Sequence, residues 1–208
     1  MDNRRPLKTR SKPWAQALAR TLARGRVSPN KISATGLLFA ALGAGALVET
    51  QFAISWMRSA LFVCAAVCVQ LRLLCNMLDG LVAVEGGLKS RGGDLFNELP
   101  DRAEDIAFLA AAGVAAHCTS LGWACAALAV LTAYVRAFGA SLGNGQDFCG
   151  PMAKPQRMFF LTLGCLFSAV DTPVKQTFPS LLVVLWIIAI GALVTSLRRV
   201  ARLWRNTP

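Results

Sequence analysis

Seven of the eleven carboxylates in this chain fall within residues 76–105, NMLDGLVAVEGGLKSRGGDLFNELPDRAED, between stretches that are otherwise apolar. Asn76 and Asp79 stand three residues apart, with Ala83 a turn later; Asn97, Asp101 and Asp105 follow as successive i,i+4 steps. On two helices these spacings turn carboxylate and amide oxygens toward one shared space. Oxygen donors of this kind suit hard divalent cations, and cations so held suit phosphate chemistry. Charged side chains at membrane depth are costly, so their clustering marks a functional site. By contrast, Arg102 and Glu104 read as the solvated start of a helix, where charge complements the helix dipole.

A second constellation is basic. Arg136 precedes a loop that ends in PMAKPQR, which carries Lys154 and Arg157. These side chains either snorkel to anionic lipid or form a pocket for the phosphate of an acceptor such as glycerol phosphate or inositol phosphate. His117 is the single histidine and falls far from both clusters. Serine–histidine–aspartate hydrolysis and histidine-based metal sites are thereby excluded. The seven cysteines lie mostly in apolar segments without paired metal-ligand spacing and read as small core residues.

The elements that must position these groups are membrane helices. With 55% hydrophobic residues and a mean hydropathy of +0.49, the chain is too apolar for an ordinary soluble domain. Apolar runs of spanning length fall near 32–50, 54–84, 98–117, 119–142, 156–171 and 178–197. Before them, residues 12–26 predict a short amphipathic helix at the membrane interface, with Trp14, Ala15, Leu18 and Leu22 on one face. Ser28-Pro29-Asn30 then breaks it. Twenty of the twenty-two Lys/Arg lie in residues 1–31, 72–102, 136–157 and the tail after 197. Only Arg58 and Lys175 fall on the other side. The positive-inside rule then predicts an all-α, six-span protein of one domain. Both termini and the two charged loops would be cytoplasmic, in an inner membrane. The net charge of +11 flanks the spans with few interleaved aromatics, which fits anionic headgroups better than nucleic acid.

The carboxylate stretch resembles the signature of the CDP-alcohol phosphatidyltransferase family, D-x2-D-G-x2-A-R-x8-G-x3-D-x3-D. Asn76, Asp79, Gly80, Ala83, Val84, Gly93, Asn97 and Asp101 fall on its eight positions with every spacing kept. Five of the eight agree: Asp79, Gly80, Ala83, Gly93 and Asp101. The resemblance implies a multi-pass membrane enzyme that displaces CMP from a CDP-linked lipid, usually CDP-diacylglycerol, with the hydroxyl of a second alcohol. It implies Mg²⁺ or Mn²⁺ on Asn76, Asp79, Asn97 and Asp101, and Asp101 as the group that takes the hydroxyl proton. The nucleotide would lie along Asp79, Gly80, Ala83 and Gly93, and a homodimer is expected. Three positions depart: Asn76 and Asn97 replace aspartates and Val84 replaces arginine. Asn97-Glu98 and Asn76 resemble more closely a divergent bacterial branch, and Glu98 is the neighbour placed to restore charge as a ligand; Asp94, Asp105 and Glu85 are further candidates. The alternative is a catalytically silent CDP-lipid- or nucleotide-binding relative with a weakened metal site. A small transporter is disfavoured, because the carboxylates gather at one face and no inverted repeat is visible.

Overall fold

The computed structural model describes residues 12–85, 93–171 and 179–206. They form seven helices: α1 (Pro13–Arg24), α2 (Pro29–Glu49), α3 (Ser55–Glu85), α4 (Gly93–Ala115), α5 (Thr119–Ser141), α6 (Lys154–Asp171) and α7 (Pro179–Asn206). Local sequence sets the starts. Pro13 and Pro29 open α1 and α2 where a missing N–H costs nothing, and the Ser28 hydroxyl accepts from the Lys31 backbone N–H at 3.4 Å.

Four helices, α2, α3, α5 and α7, are long and apolar enough to cross a membrane. The six-span expectation therefore resolves into four such helices and two others in the same bundle. Asp101, Arg102, Glu104 and Asp105 occupy the middle of α4, and α6 has 18 residues and opens on Lys154 and Arg157. Leu38, Leu42, Trp123, Trp186 and Ile190 face outward, as expected of surfaces that meet lipid rather than water. Helix α3 is 31 residues long and α7 is 28.

The helices close into a ring in the order α2, α4, α5, α7, α6, α3, with α1 lying against α3. Within α1, Ala15 and Ala19 form the buried seam, packing with Ile32, Met77, Leu78 and Val82. Trp14 and Leu18, placed on the same face by the sequence pattern, are exposed. Small residues let the ring close. A Cβ on Gly113 of α4 would lie 2.5 Å from the Gly122 Cα of α5, so these two backbones touch. Any side chain at either position would push the helices apart. Gly43 likewise admits the Phe108 ring and the Cys68 Cβ. Before α6, Gly150 adopts φ +111°, and the backbone N–H of Met152 donates to Thr195 Oγ1 at 2.9 Å. That turn fastens the start of α6, and with it Lys154 and Arg157, to α7.

Candidate active site

Asp79 is buried on α3, 3% exposed. Its Oδ2 accepts from the Ser33 hydroxyl of α2 at 2.8 Å, while Oδ1 is buried without a hydrogen-bond partner. One turn earlier Asn76 donates its amide Nδ2 to Asp101 Oδ1 of α4 at 2.5 Å. The same oxygen lies 2.5 Å from Lys154 Nζ of α6. Asp101 thus ties α3, α4 and α6 together, and its charge and that of Lys154 reach Asp79. Its other oxygen stands 3.5 Å from Arg102 Nη2.

A buried ionic network underlies this point. Arg72 of α3 is 0% exposed and donates Nε to Glu104, Nη2 to Asp105 Oδ1 at 2.9 Å, and Nη2 to the Asp101 carbonyl at 3.1 Å. Asp105 Oδ2 accepts from Arg157 Nη2 at 2.8 Å. Arg157 Nη1 reaches the Thr132 hydroxyl of α5 at 3.2 Å and the Met152 carbonyl at 3.1 Å. Buried charges persist only when paired and hydrogen-bonded, and here each carboxylate meets a guanidinium. The network crosses the middle of the ring and fixes the helix that carries Asp101.

Two sequence-based expectations change. Glu104 is no solvated helix start: it is 1% exposed and paired with Arg72, because its place on α4 faces α3. Nor are Arg72 and Arg157 loop charges of the kind the positive-inside rule counts; both are buried ion-pair partners within helices. Arg102 stays partly exposed beside Glu98 at 3.4 Å.

The remaining candidates scatter. Glu98 has a side chain 52% exposed, held by Arg136 at 2.7 Å as well as by Arg102. The Arg136 guanidinium also stacks 5.6 Å from the Phe148 ring centroid. Both Asp105 oxygens face guanidinium groups. Gly80 is buried and Ala83 half-buried along α3, whereas Val84 is exposed. The side chains of Glu85, Asp94 and Asn97 and the surroundings of Gly93 lie outside the described residues. Among the described residues, no group of three or more His, Cys, Asp or Glu side chains converges as a metal-ligand set.

The three basic candidates do not share one pocket: Lys154 serves Asp101, Arg157 serves Asp105, and Arg136 lines a cavity of about 240 Å³. Arg199, Arg202, Asn144, Gln146 and Asp147 line it too. Arg199 donates to the carbonyls of Cys149 at 3.0 Å and Thr132 at 2.6 Å, so it also fastens the loop between α5 and α6. Partial burial would raise the Asp147 carboxyl. The Cys149 backbone N–H at 2.8 Å and nearby Arg202 and Arg199 nevertheless hold it below its ordinary value. In the sequence Arg199 and Arg202 count only among the basic charges of the tail, and their i,i+3 spacing is the signal that sets them on one helix face.

No protein-family model and no curated relative matches the chain. Solved structures of Mycobacterium tuberculosis phosphatidylinositol phosphate synthase do. The form with CDP-DAG bound is 25% identical, with a TM-score of 0.73, over 93% of this chain and 94% of that one. The form in complex with manganese and citrate is 23% identical, with a TM-score of 0.74, over 93% and 90%. Over nearly its whole length the chain shares the fold of a CDP-alcohol phosphatidyltransferase.

Proposed function

We propose that this protein is a membrane transferase of the CDP-alcohol phosphatidyltransferase kind, which displaces CMP from a CDP-linked lipid with an alcohol acceptor. CDP-diacylglycerol is the first donor to test. One observation carries the reading: Asp79 and Asp101, in unbroken signature spacing, are brought to one place at the junction of α3, α4 and α6. The bundle that does this matches a CDP-DAG complex in fold.

In the proposed reaction the acceptor hydroxyl attacks the lipid-linked phosphorus. A new O–P bond forms, the P–O bond to CMP breaks, and Asp101 takes the hydroxyl proton. Asp79, fixed by Ser33, and the small Gly80 and Ala83 would hold the diphosphate and nucleotide close to α3. Glu98 orients Arg136 toward the cavity. A divalent cation, Mg²⁺ or Mn²⁺, would neutralise charge on the diphosphate when bound. The Oδ1 of Asp79, buried without a hydrogen-bond partner, fits such an ion. The Oδ1 of Asp101 does not, since it already faces an ammonium and an amide N–H. Purified protein given CDP-diacylglycerol, a panel of alcohols and Mn²⁺ or Mg²⁺ should release CMP and form a new lipid. Binding of the donor with no CMP from any pairing would leave only the silent-relative reading.

The acceptor is proposed to be anionic and to enter the cavity of Arg136, Arg199 and Arg202. Arg136→Ala or Arg202→Ala should raise acceptor KM about 10-fold or more and leave the CDP-lipid KM within about twofold. A hydrogen bond to a charged group contributes roughly 1.5–3 kcal/mol, and about 1.4 kcal/mol is tenfold. Preference of the wild type for a phosphate-free acceptor would remove this pocket from the reading. Six spans, cytoplasmic termini in an inner membrane, and a homodimer belong to the same proposal; reporter fusions at both ends and native mass measurement in bilayers test them.

A further inference from the structure

The described carboxylates at this end of the bundle are electrically balanced by the protein's own side chains. Among the described residues, Asp79, Glu98, Asp101, Glu104 and Asp105 stand together with Arg72, Arg102, Arg136, Lys154 and Arg157. Five negative charges meet five positive ones. Two divalent ions would bring four further positive charges to these described groups, which carry no excess negative charge to meet them, and at two signature positions neutral asparagines have already removed negative charge.

The contacts show where the balance is struck. Lys154 Nζ lies 2.5 Å from Asp101 Oδ1, on the side from which Asn76 also approaches. Arg72 Nη2 adds positive charge 3.8 Å from the same oxygen. Asn76 directs its N–H₂, not its carbonyl, at that carboxylate. A metal ion between Asn76 and Asp101 would demand the reverse, since only the amide oxygen can ligate a hard cation. An ion there would also meet the Lys154 ammonium at close range. Asp79 is different, because its Oδ1 is buried and, among the described residues, no Lys or Arg forms an ion pair with it.

We infer that Lys154 is a resident cation. Its ammonium holds the place between α3 and α4 where a second divalent ion would sit, it neutralises Asp101, and it faces the donor diphosphate. The protein without nucleotide then binds at most one divalent ion, on the Asp79 side. This rests on the transferase reading only for the identity of the diphosphate.

Mn²⁺ is the probe, added to the full chain in phosphatidylcholine nanodiscs without CDP-lipid, with free Mn²⁺ counted by electron paramagnetic resonance. The wild type should bind no more than one ion per chain, as should Lys154→Arg, which keeps the cation. Lys154→Met combined with Asn76→Asp should bind one more ion than the wild type. Two ions on the wild type would overturn the inference, and so would an unchanged count in a cooperatively unfolding double variant. Should that variant fail to fold, the wild-type count decides alone. Because ions are counted without substrate, the result is independent of CMP release: either idea can fail while the other stands.

Discussion

Asp79→Asn and Asp101→Asn are each expected to lower CMP release by at least ~10²-fold, the lower range for losing a positioned acid–base group. The conservative change isolates charge from shape. An amide at position 79 can still accept from the Ser33 hydroxyl, which now bonds Asp79 at 2.8 Å. An amide at position 101 still fills the space between Asn76 and Lys154. What is lost is, in one case, a negative oxygen able to hold a cation and, in the other, a base for the acceptor proton. Ser33→Ala removes only the orientation of Asp79 and should cost less than either. The check is turnover of purified variants at saturating donor, acceptor and Mn²⁺. Wild-type turnover in either Asn variant would remove that residue from the chemistry.

The largest effect on stability is expected at Arg72. Arg72→Met leaves Glu104 without its partner and Asp105 with only Arg157, both at 1% exposure. Removing one member of a buried ion pair costs about 3–5 kcal/mol, because the remaining charge is stranded. Arg72→Met with Glu104→Gln should recover most of that loss, since no stranded carboxylate remains and Asp105 keeps Arg157. Denaturant unfolding in micelles reads the difference. Equal stability of Arg72→Met and the wild type would show that the network carries little energy. Equal loss in the single and double variants would place the effect in packing rather than charge.

Helix positions were legible because a membrane-like composition writes them in hydropathy. Apolar run length and the Pro and Gly breaks mark α2, α3 and α5 and the start of α7 to within a few residues, and Ser28-Pro29 marks the α2 start; α7 continues well past the apolar run, to Asn206, through its basic tail. Asp79 and Asp101 stood out because an aspartate among apolar neighbours, at signature spacing, has few structural reasons to be there. The pairing beneath them was not legible. Arg72 and Glu104 are 32 residues apart, and nothing local to either indicates that α3 and α4 turn these side chains toward one another. Glu104 looks like a solvated charge because its neighbours Asp101 and Arg102 are polar; only the rotation of α4 about its axis decides that it is buried. Ser33 was hidden for the same reason. A hydroxyl near a helix start reads as a local cap until the distant carboxylate it serves is known.

At about 1.5 Å per residue the 28 residues of α7 extend roughly 42 Å, well past a hydrocarbon thickness of about 30 Å. Its final turns, with Arg202, Arg205 and an 83% exposed Trp204, match the interfacial belt where such side chains anchor. On the proposed reading, the cavity beside Arg199 and Arg202 lies level with lipid phosphates, while the donor reaches α3 from within the bilayer. One substrate then arrives by diffusion in three dimensions and the other in two. Diluting the CDP-lipid with inert detergent at constant bulk concentration should slow the enzyme as the donor's surface fraction falls. Half-saturation by a water-soluble acceptor should not move.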